Sequence, residues 1–239
     1  MNFQSRYKNV KVIAIDADDT LWDCQSQFDK VELEYTRLLE NYASGRAISE
    51  SLFATELANM PILGYGTKAF TLSLIENAVR VSDGKVGGEA IGRIVELGKT
   101  LLKFPTTPLP GVKDTLLKMA DLRRRKPLRV VVFTKGELQD QENKLRRSGL
   151  WDLFDDIIVV ADKTEAEYRN LAARYGVSPA ELVMVGNSFK SDIAPALRIG
   201  ALAMHIPYHV VWKMEHAEPF EHPNLRPIRH FSEILQLFE

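Results

Sequence analysis

Two hydrophobic patterns divide the chain. Between about Ser26 and Phe104, apolar residues recur every three or four positions, as in helices with one buried face, and no strand-like alternation interrupts them. After this block, short β-branched apolar runs alternate with helical stretches, and one such run, Val10–Ile15, precedes it. Near-continuous apolar strands that alternate with helices are typical of a parallel sheet covered on both faces. The sequence therefore predicts an α/β core interrupted by a helical insertion.

The elements expected in the core follow this alternation. Strands are predicted at Val10–Ile15, Leu128–Thr134, Asp156–Val160, Leu182–Val185, Ala201–Ile206 and Pro227–Arg229. Helices are predicted at Val112–Arg124, Glu137–Ser148, Thr164–Tyr175, Ser191–Ile199 and from Phe231 onward. We assign residues 1–22 and 107–239 to the core and residues 23–106 to the insertion. The predicted fold class is α/β, with a Rossmann-like parallel sheet, helices on both of its faces and an inserted all-helical domain.

Composition narrows the function classes only a little. Of the 239 residues, 45% are hydrophobic and the formal net charge is -1, so no global charge favours nucleic acid or an anionic membrane. Cys24 is the only cysteine, which excludes an intramolecular disulfide and argues against a cysteine-based metal site. The apolar run Val12–Ile15 is too short for a signal peptide or a membrane span. We therefore expect a cytoplasmic protein without a nucleic-acid or membrane partner, and its oligomeric state stays open.

Each of the first four predicted strands ends in a segment with charged or hydroxyl side chains. In parallel sheets, ligands bind at the carboxyl ends of the strands, so these segments should line one crevice. The segments are Asp16–Leu21, Thr134–Gly136, Asp162–Lys163 and Gly186–Asp192, in strand order. Any one of them alone would be ordinary, since a single D-x-D is most often a solvated turn. Their order on successive strands favours a catalytic site.

The residue types in this crevice suit phosphate chemistry. Asp16 and Asp18 lie two positions apart past a strand, so their carboxylates can point the same way and repel unless a cation lies between them. Asp192 would complete an oxygen-rich site suited to Mg²⁺. Lys163, the Thr134 hydroxyl and backbone N–H groups of the turns would then hold a phosphate dianion.

The ordered set D-x-D-x-T, T, K and G-N-x-x-x-x-D resembles the four motifs of the haloacid dehalogenase superfamily, and the helical insertion is similar to that family's type C1 cap. The resemblance covers essentially the whole chain. It implies that Asp16 attacks phosphorus and becomes an aspartyl-phosphate, and that Asp18 protonates the leaving oxygen and then activates water. It further implies that Thr134 and Lys163 hold the phosphoryl oxygens. Mg²⁺ would be bound by Asp16, the Asp18 carbonyl and Asp192.

Two positions depart from the family pattern. Asn187 stands where the fourth motif usually opens with Asp, and its amide oxygen can ligate Mg²⁺ or hydrogen-bond its water without adding charge. Thr164 follows Lys163 where proline is common, so Lys135 or Lys190 could hold the phosphate instead. The predicted site therefore comprises Asp16 and Asp18 for catalysis, Thr134, Lys135 and Lys163 for phosphate, and Asp16, Asp18, Asn187 and Asp192 for Mg²⁺.

The leading interpretation is a Mg²⁺-dependent phosphatase that acts on a small phosphorylated metabolite, with the insertion as its cap. A phosphomutase shares the aspartyl-phosphate and stays open as an alternative. Asp18 argues against a dehalogenase, because the dehalogenases of the superfamily lack this second Asp. A receiver-like phospho-acceptor without turnover is a different class, and the large insertion argues against it. The sequence does not name the substrate.

Five histidines crowd residues 205–230, and His205 and His209 have the i, i+4 spacing of a helical zinc site. Prolines interrupt this stretch, so helical spacing is not expected there. We interpret these residues as loop histidines.

Overall fold

The computed structural model describes residues 7–238, so residues 1–6 and 239, which the sequence analysis assigned to the core, lie outside it. The chain forms two compact units. One unit ends at Gln25 and resumes at Thr106, and the other is Ser26–Pro105. The first contains the sheet and the second is made of helices. That these units act as catalytic core and cap stays a prediction.

Six parallel strands form one sheet in residues 7–238, in the order β3-β2-β1-β4-β5-β6. They are β1 (Val12–Ile15), β2 (Arg129–Lys135), β3 (Asp156–Val160), β4 (Leu182–Gly186), β5 (Leu202–His205) and β6 (Leu225–Pro227). The fully buried β1 pairs with β2 on one side and β4 on the other. The strand order reverses between β1 and β4, and such a switch opens a crevice at the carboxyl ends of the strands. The predicted α/β fold is confirmed.

Helices make up the unit Ser26–Pro105. They are α1 (Gln25–Leu38), α2 (Gly45–Leu63), α3 (Thr67–Val81) and α4 (Gly88–Leu101). Their apolar faces share one core, which includes Val31, Leu39, Ile48, Leu52, Phe70, Leu74, Ala78, Ile94 and Leu101. Asn77 lies buried in this core, donates to the Tyr35 hydroxyl at 2.8 Å and accepts from Ser51 Oγ at 2.6 Å. These bonds offset the cost of burying a polar amide.

The core unit adds the helices α5 (Val112–Arg123), α6 (Leu138–Arg147), α7 (Glu165–Arg174) and α8 (Ala194–Arg198). The predicted helix Ser191–Ile199 is wrong in its first turn, because a π-helical turn, Phe189–Ile193, precedes α8. The final predicted helix is a 3₁₀-helix, Phe231–Leu237, and the last strand lies two residues before its predicted place. No helix in residues 7–238 is long and apolar enough to cross a membrane.

One hydrophobic cluster connects the sheet to the loop that follows β4. Its members include Val12, Ala14, Val131, Phe133, Tyr168, Leu171, Leu182, Met184, Ala196 and Ile199. The Tyr168 ring meets Phe133 edge to face at a centroid distance of 5.0 Å. The Tyr168 hydroxyl lies 3.0 Å from the carbonyl oxygen of Ser191 and 3.1 Å from that of Asp192. The packed core therefore holds the backbone that presents Asp192.

Candidate active site

The carboxylate of Asp16 lies directly past the central strand. Its backbone N–H donates to the Val185 carbonyl at 2.9 Å, which extends the pairing of β1 with β4 by one residue. Asp16 Oδ1 accepts from Lys163 Nζ at 2.5 Å, and Oδ2 accepts from Thr20 Oγ1 at 3.0 Å. Since both oxygens have a donor, the side chain has a fixed direction at the end of the strand.

Lys163 joins two buried carboxylates. It follows β3, and its Nζ lies 2.5 Å from Asp16 Oδ1 and 2.6 Å from Asp192 Oδ1, with 1% of the side chain exposed. Burial alone would lower the pKa of this ammonium, but the two carboxylates outweigh burial and raise the pKa above its ordinary value. Lys163 is therefore charged in this site.

The pKa of Asp16 responds to the same neighbours. Burial raises it to about 7, Asp192 and Asp18 add to the rise, and Lys163 opposes it. Two carboxylates that share one ammonium leave a negative charge in a buried site, which is costly without a further cation. The Asp16–Lys163–Asp192 cluster therefore has one more negative charge than positive charge when both carboxyl groups are ionised.

Asp192 reaches this cluster because the end of β4 has no side chain. A Cβ on Gly186 would lie 2.2 Å from Asp192 Oδ2, so any other residue would displace the carboxylate. Asp192 Oδ2 accepts from the Ser188 N–H at 2.9 Å. Nearby, Asn187 Oδ1 lies 3.4 Å from the same Thr20 Oγ1 that donates to Asp16. Thr20 thus connects the predicted metal ligands Asp16 and Asn187.

The groups around Lys163 fit Mg²⁺ in type and charge. Carboxylate and amide oxygens are hard ligands, and a divalent cation would offset the unbalanced negative charge of Asp16 and Asp192. Residues 7–238 contain no cluster of three or more His, Cys, Asp or Glu side chains that could hold a metal. A Mg²⁺ site here would therefore need the Asn187 amide and backbone carbonyls in addition to the two carboxylates.

Asp18 belongs to a second cluster, formed with helix α6. Lys144 Nζ lies 3.2 Å from Asp18 Oδ1 and 3.0 Å from Oδ2, and Gln141 Nε2 donates to Oδ2 at 2.8 Å. The indole N–H of Trp22 donates to Oδ1 at 2.8 Å. Burial alone would raise the pKa of Asp18, but Lys144 and the hydrogen bonds from Gln141 and Trp22 outweigh it and lower the pKa. Asp18 is therefore ionised in this structure.

The other predicted phosphate ligands have partners of their own. Lys135 Nζ donates to Ser191 Oγ at 2.8 Å and to Glu215 at 2.5 Å, and Glu215 also accepts from Ser188 Oγ. The buried Thr134 places its hydroxyl 3.4 Å from the carbonyl oxygen of Lys135. The exposed alternative, Lys190, donates to the Met214 carbonyl at 2.6 Å. Of the three predicted phosphate-binding residues, only Lys163 directly contacts Asp16 among these bonds.

Comparison with known proteins identifies the family. A sequence profile of haloacid dehalogenase-like hydrolases matches residues 10–200, a span that contains all four polar strand ends. The chain belongs to the haloacid dehalogenase-like hydrolase family. The resemblance inferred from the four motifs is confirmed.

Two curated relatives of this haloacid dehalogenase-like hydrolase are named as phosphatases. Human N-acylneuraminate-9-phosphatase is 25% identical over 206 residues, which cover 81% of each chain. Glyceraldehyde 3-phosphate phosphatase of Methanothermobacter thermautotrophicus is 27% identical and covers 82% of this chain and 84% of its own. A haloacid dehalogenase-like family hydrolase from Xanthomonas campestris superposes with a TM-score of 0.84 at 31% identity, covering 96% of this chain and 92% of the other. The predicted hydrolase class is confirmed, and the residue roles stay predictions.

Sequence reasoning missed the partners of Asp18 in this hydrolase. Helix α6 has only two apolar residues, Leu138 and Leu145, and Leu138 is exposed. Its buried face is therefore polar and consists mainly of Asp140, Gln141 and Lys144. A helix between two strands of the sheet that offers so few apolar residues has to bury polar ones. The small number of apolar residues in this helix was the feature of the sequence that could have indicated a buried polar face.

A third carboxylate of the first motif has a structural task. Asp19 has a φ of 61°, a left-handed conformation that Asp tolerates better than most residues. Its carboxylate accepts from the backbone N–H groups of Cys24 at 2.8 Å and Gln25 at 3.0 Å. Burial raises the pKa of Asp19 to about 7, against the effect of these two bonds. Asp19 therefore fixes the turn that follows β1.

Proposed function

We propose that this hydrolase is a Mg²⁺-dependent phosphatase that hydrolyses a small phosphorylated metabolite through an aspartyl-phosphate on Asp16. The observation that carries the proposal is the buried cluster in which Asp16 and Asp192 share Lys163. The cluster offers a carboxylate nucleophile beside a fixed positive charge at the edge of the sheet where ligands bind. The two relatives named as phosphatases support the same reaction.

In the first step, an Asp16 oxygen attacks phosphorus, and the bond from phosphorus to the leaving oxygen breaks. Lys163, next to Asp16, offsets the charge on the phosphoryl oxygens. The leaving oxygen takes a proton from Asp18. Asp18 is ionised without substrate, and the negative charge of the arriving phosphate ester raises its pKa and favours uptake of this proton.

In the second step, water attacks the phosphorus of the aspartyl-phosphate and releases Asp16 as a carboxylate. Asp18, ionised after the first step, accepts the proton of that water. Lys144 and Gln141 keep the Asp18 carboxylate directed and negatively charged until it accepts this proton. One residue thus serves as acid and then as base in a single turnover.

Asp16, Asp192, Asn187 and the Asp18 carbonyl would hold the Mg²⁺. When bound, the ion supplies positive charge next to Asp16 and the phosphoryl oxygens. Without it, the four aspartates paired with Lys163 and Lys144 outnumber the two lysines by two, so the protein side chains alone do not favour a phosphate dianion. The proposed dependence on Mg²⁺ follows from this imbalance.

The test is release of inorganic phosphate from N-acylneuraminate 9-phosphate, glyceraldehyde 3-phosphate, other sugar phosphates and 4-nitrophenyl phosphate. Each ester is measured with Mg²⁺, with a chelator and with Asp16→Asn, and exposed Asp152→Asn serves as the matched control. We expect release that requires both Mg²⁺ and Asp16 and is unchanged in the control. Isomerisation of a sugar phosphate without release would instead indicate a phosphomutase, and a long-lived phosphoprotein would indicate a phospho-acceptor.

A further inference from the structure

Helix α6 buries an unusual set of side chains. Asp140, Gln141 and Lys144 are each at most 5% exposed, although charged residues are seldom so deeply buried. Burying a lysine is costly unless close partners offset its desolvation. The partners of Lys144 include Asp18 at 3.0 Å and Asp140, one helical turn away, at 3.6 Å. Helix α6 therefore places a buried lysine next to Asp18 of the first motif, and the desolvation of this lysine costs free energy.

The result of this arrangement is a fixed Asp18 carboxylate. Oδ2 accepts from Gln141 and Lys144, and Oδ1 accepts from Trp22 and Lys144. Because donors from Trp22 and from helix α6 engage both oxygens, rotation of the carboxylate would break at least one of these bonds. Asp18 thus keeps one orientation before any substrate arrives.

Gln141 is itself anchored to the end of β2. Its Nε2, which donates to Asp18, also donates to the Lys135 carbonyl at 2.9 Å. The next residue, Gly136, has a φ of +123°, and a Cβ there would lie 3.2 Å from Gln141 Nε2. The turn after β2 is therefore shaped to admit the Gln141 amide between the first two strand ends.

We propose that Lys144 and Gln141 are positioning residues that fix the orientation of the Asp18 carboxyl group, which in its protonated form gives its proton to the leaving oxygen. This inference rests on the proposed phosphatase function. It assigns the helix after β2 a task in leaving-group departure, in addition to the roles of the four motifs. An alkyl phosphate, whose leaving alkoxide needs a proton, depends on the position of Asp18. An aryl phosphate such as 4-nitrophenyl phosphate does not, because 4-nitrophenolate leaves without a proton.

The test compares kcat/KM for the best alkyl phosphate and for 4-nitrophenyl phosphate, both with Mg²⁺. This ratio reports the steps up to departure of the leaving group, so later water activation does not enter it. The variants are Lys144→Met and Gln141→Leu. Gln141→Leu removes the donor without stranding a partner of the amide oxygen, which makes no hydrogen bond within the described chain. Exposed Arg147→Met on the same helix controls for the loss of a distant positive charge.

We expect each test variant to lose about 10-fold to 100-fold in kcat/KM for the alkyl ester, part of the ~10²–10⁴-fold that general acid catalysis contributes. The loss for the aryl ester should stay within about threefold, and Arg147→Met should change neither value. Thermal unfolding establishes which variants are folded. If Lys144→Met does not fold, Gln141→Leu decides.

Equal losses for both esters, or no loss for either, would overturn the inference while leaving the phosphatase function intact. Wild-type protein that releases no phosphate from any ester would overturn the proposed function and this inference with it. Activity of the wild type towards both esters therefore separates the two failures.

Discussion

The site contains two buried lysines, each between two aspartates, and they differ in how tightly they are held. Lys163 lies 2.5 Å from Asp16 and 2.6 Å from Asp192. Lys144 lies 3.0 Å from Asp18 and 3.6 Å from Asp140. The side chain of Asp16 is 11% exposed and that of Asp18 is 27% exposed. Two aspartates of one motif thus lie in different electrostatic surroundings.

The different surroundings shift the pKa values of the two carboxyl groups in opposite directions. Burial dominates at Asp16 and raises its pKa to about 7, whereas Lys144 and the other donors dominate at Asp18 and lower its pKa. A carboxyl group attacks phosphorus only in its ionised form, so the proposed nucleophile Asp16 needs a further cation beside it to lower its pKa. The Asp16 cluster is left short of positive charge, which suits a metal ion, while Asp18 already has its cation.

The largest expected effect comes from Asp16→Asn. An amide cannot form the aspartyl-phosphate, so kcat should fall by at least about 10³-fold with both alkyl and aryl phosphates. Rapid mixing with 4-nitrophenyl phosphate should show no burst of 4-nitrophenol. If this variant still gave a burst equal to the enzyme concentration, a residue other than Asp16 would be the nucleophile.

Asp18→Asn should behave differently with the same reagent. With 4-nitrophenyl phosphate, the first step needs no acid, so one equivalent of 4-nitrophenol should appear rapidly. Steady-state release should then be slower than in the wild type by about 10²–10⁴-fold, because water is no longer activated. Acid quench should trap the phosphorylated protein. Loss of both the burst and the steady state would contradict separate roles for the two aspartates.

The two lysines can be compared by stability in a chelator. Lys163→Met should lower the free energy of unfolding by about 3–5 kcal/mol, because it leaves two buried carboxylates without their cation. Lys144→Met should cost less, since its contacts are longer and Asp18 is more exposed. Denaturant unfolding at neutral pH measures both, with exposed Lys118→Met as the control.

Added Mg²⁺ sharpens this comparison. It should restore more stability to Lys163→Met than to Lys144→Met, because only Lys163 pairs with the proposed metal ligands Asp16 and Asp192. Equal restoration, or an equal cost in chelator, would mean that the two lysines do not differ as their geometry indicates.

The smallest expected effect concerns Asp19, a carboxylate held by backbone N–H groups. Its pKa is raised from 3.8 to about 7, so the folded protein binds the proton more tightly than the unfolded chain does. This contribution lowers the free energy of unfolding as pH rises from about 4 to about 7. Asp19→Asn should therefore stabilise the metal-free protein at pH 8 and change its free energy of unfolding little at pH 5. An identical difference at both pH values would contradict the raised pKa.

The residues that the sequence could place are those next to a strand end. Apolar β-branched runs stop at Asp16, near Lys163 and before Asn187, and the parallel order of the strands brings such ends to one edge. The helical block was also evident, because the three- to four-residue spacing of its apolar positions extends over four helices. Strand β6 was displaced by two residues in the prediction, since a three-residue strand offers too short a pattern to fix its place.

The sequence by itself determined where the strands end and which aspartates and which lysine follow them, because backbone preference and hydrophobic pattern are local properties. Only the tertiary structure decided that Lys144 pairs with Asp18, 126 residues away, and that Glu215 pairs with Lys135, 80 residues away. Such pairs depend on which face of a helix packs against the sheet and on where a loop passes over the ends of the strands. Burial in three dimensions then sets their charges, which no local pattern encodes.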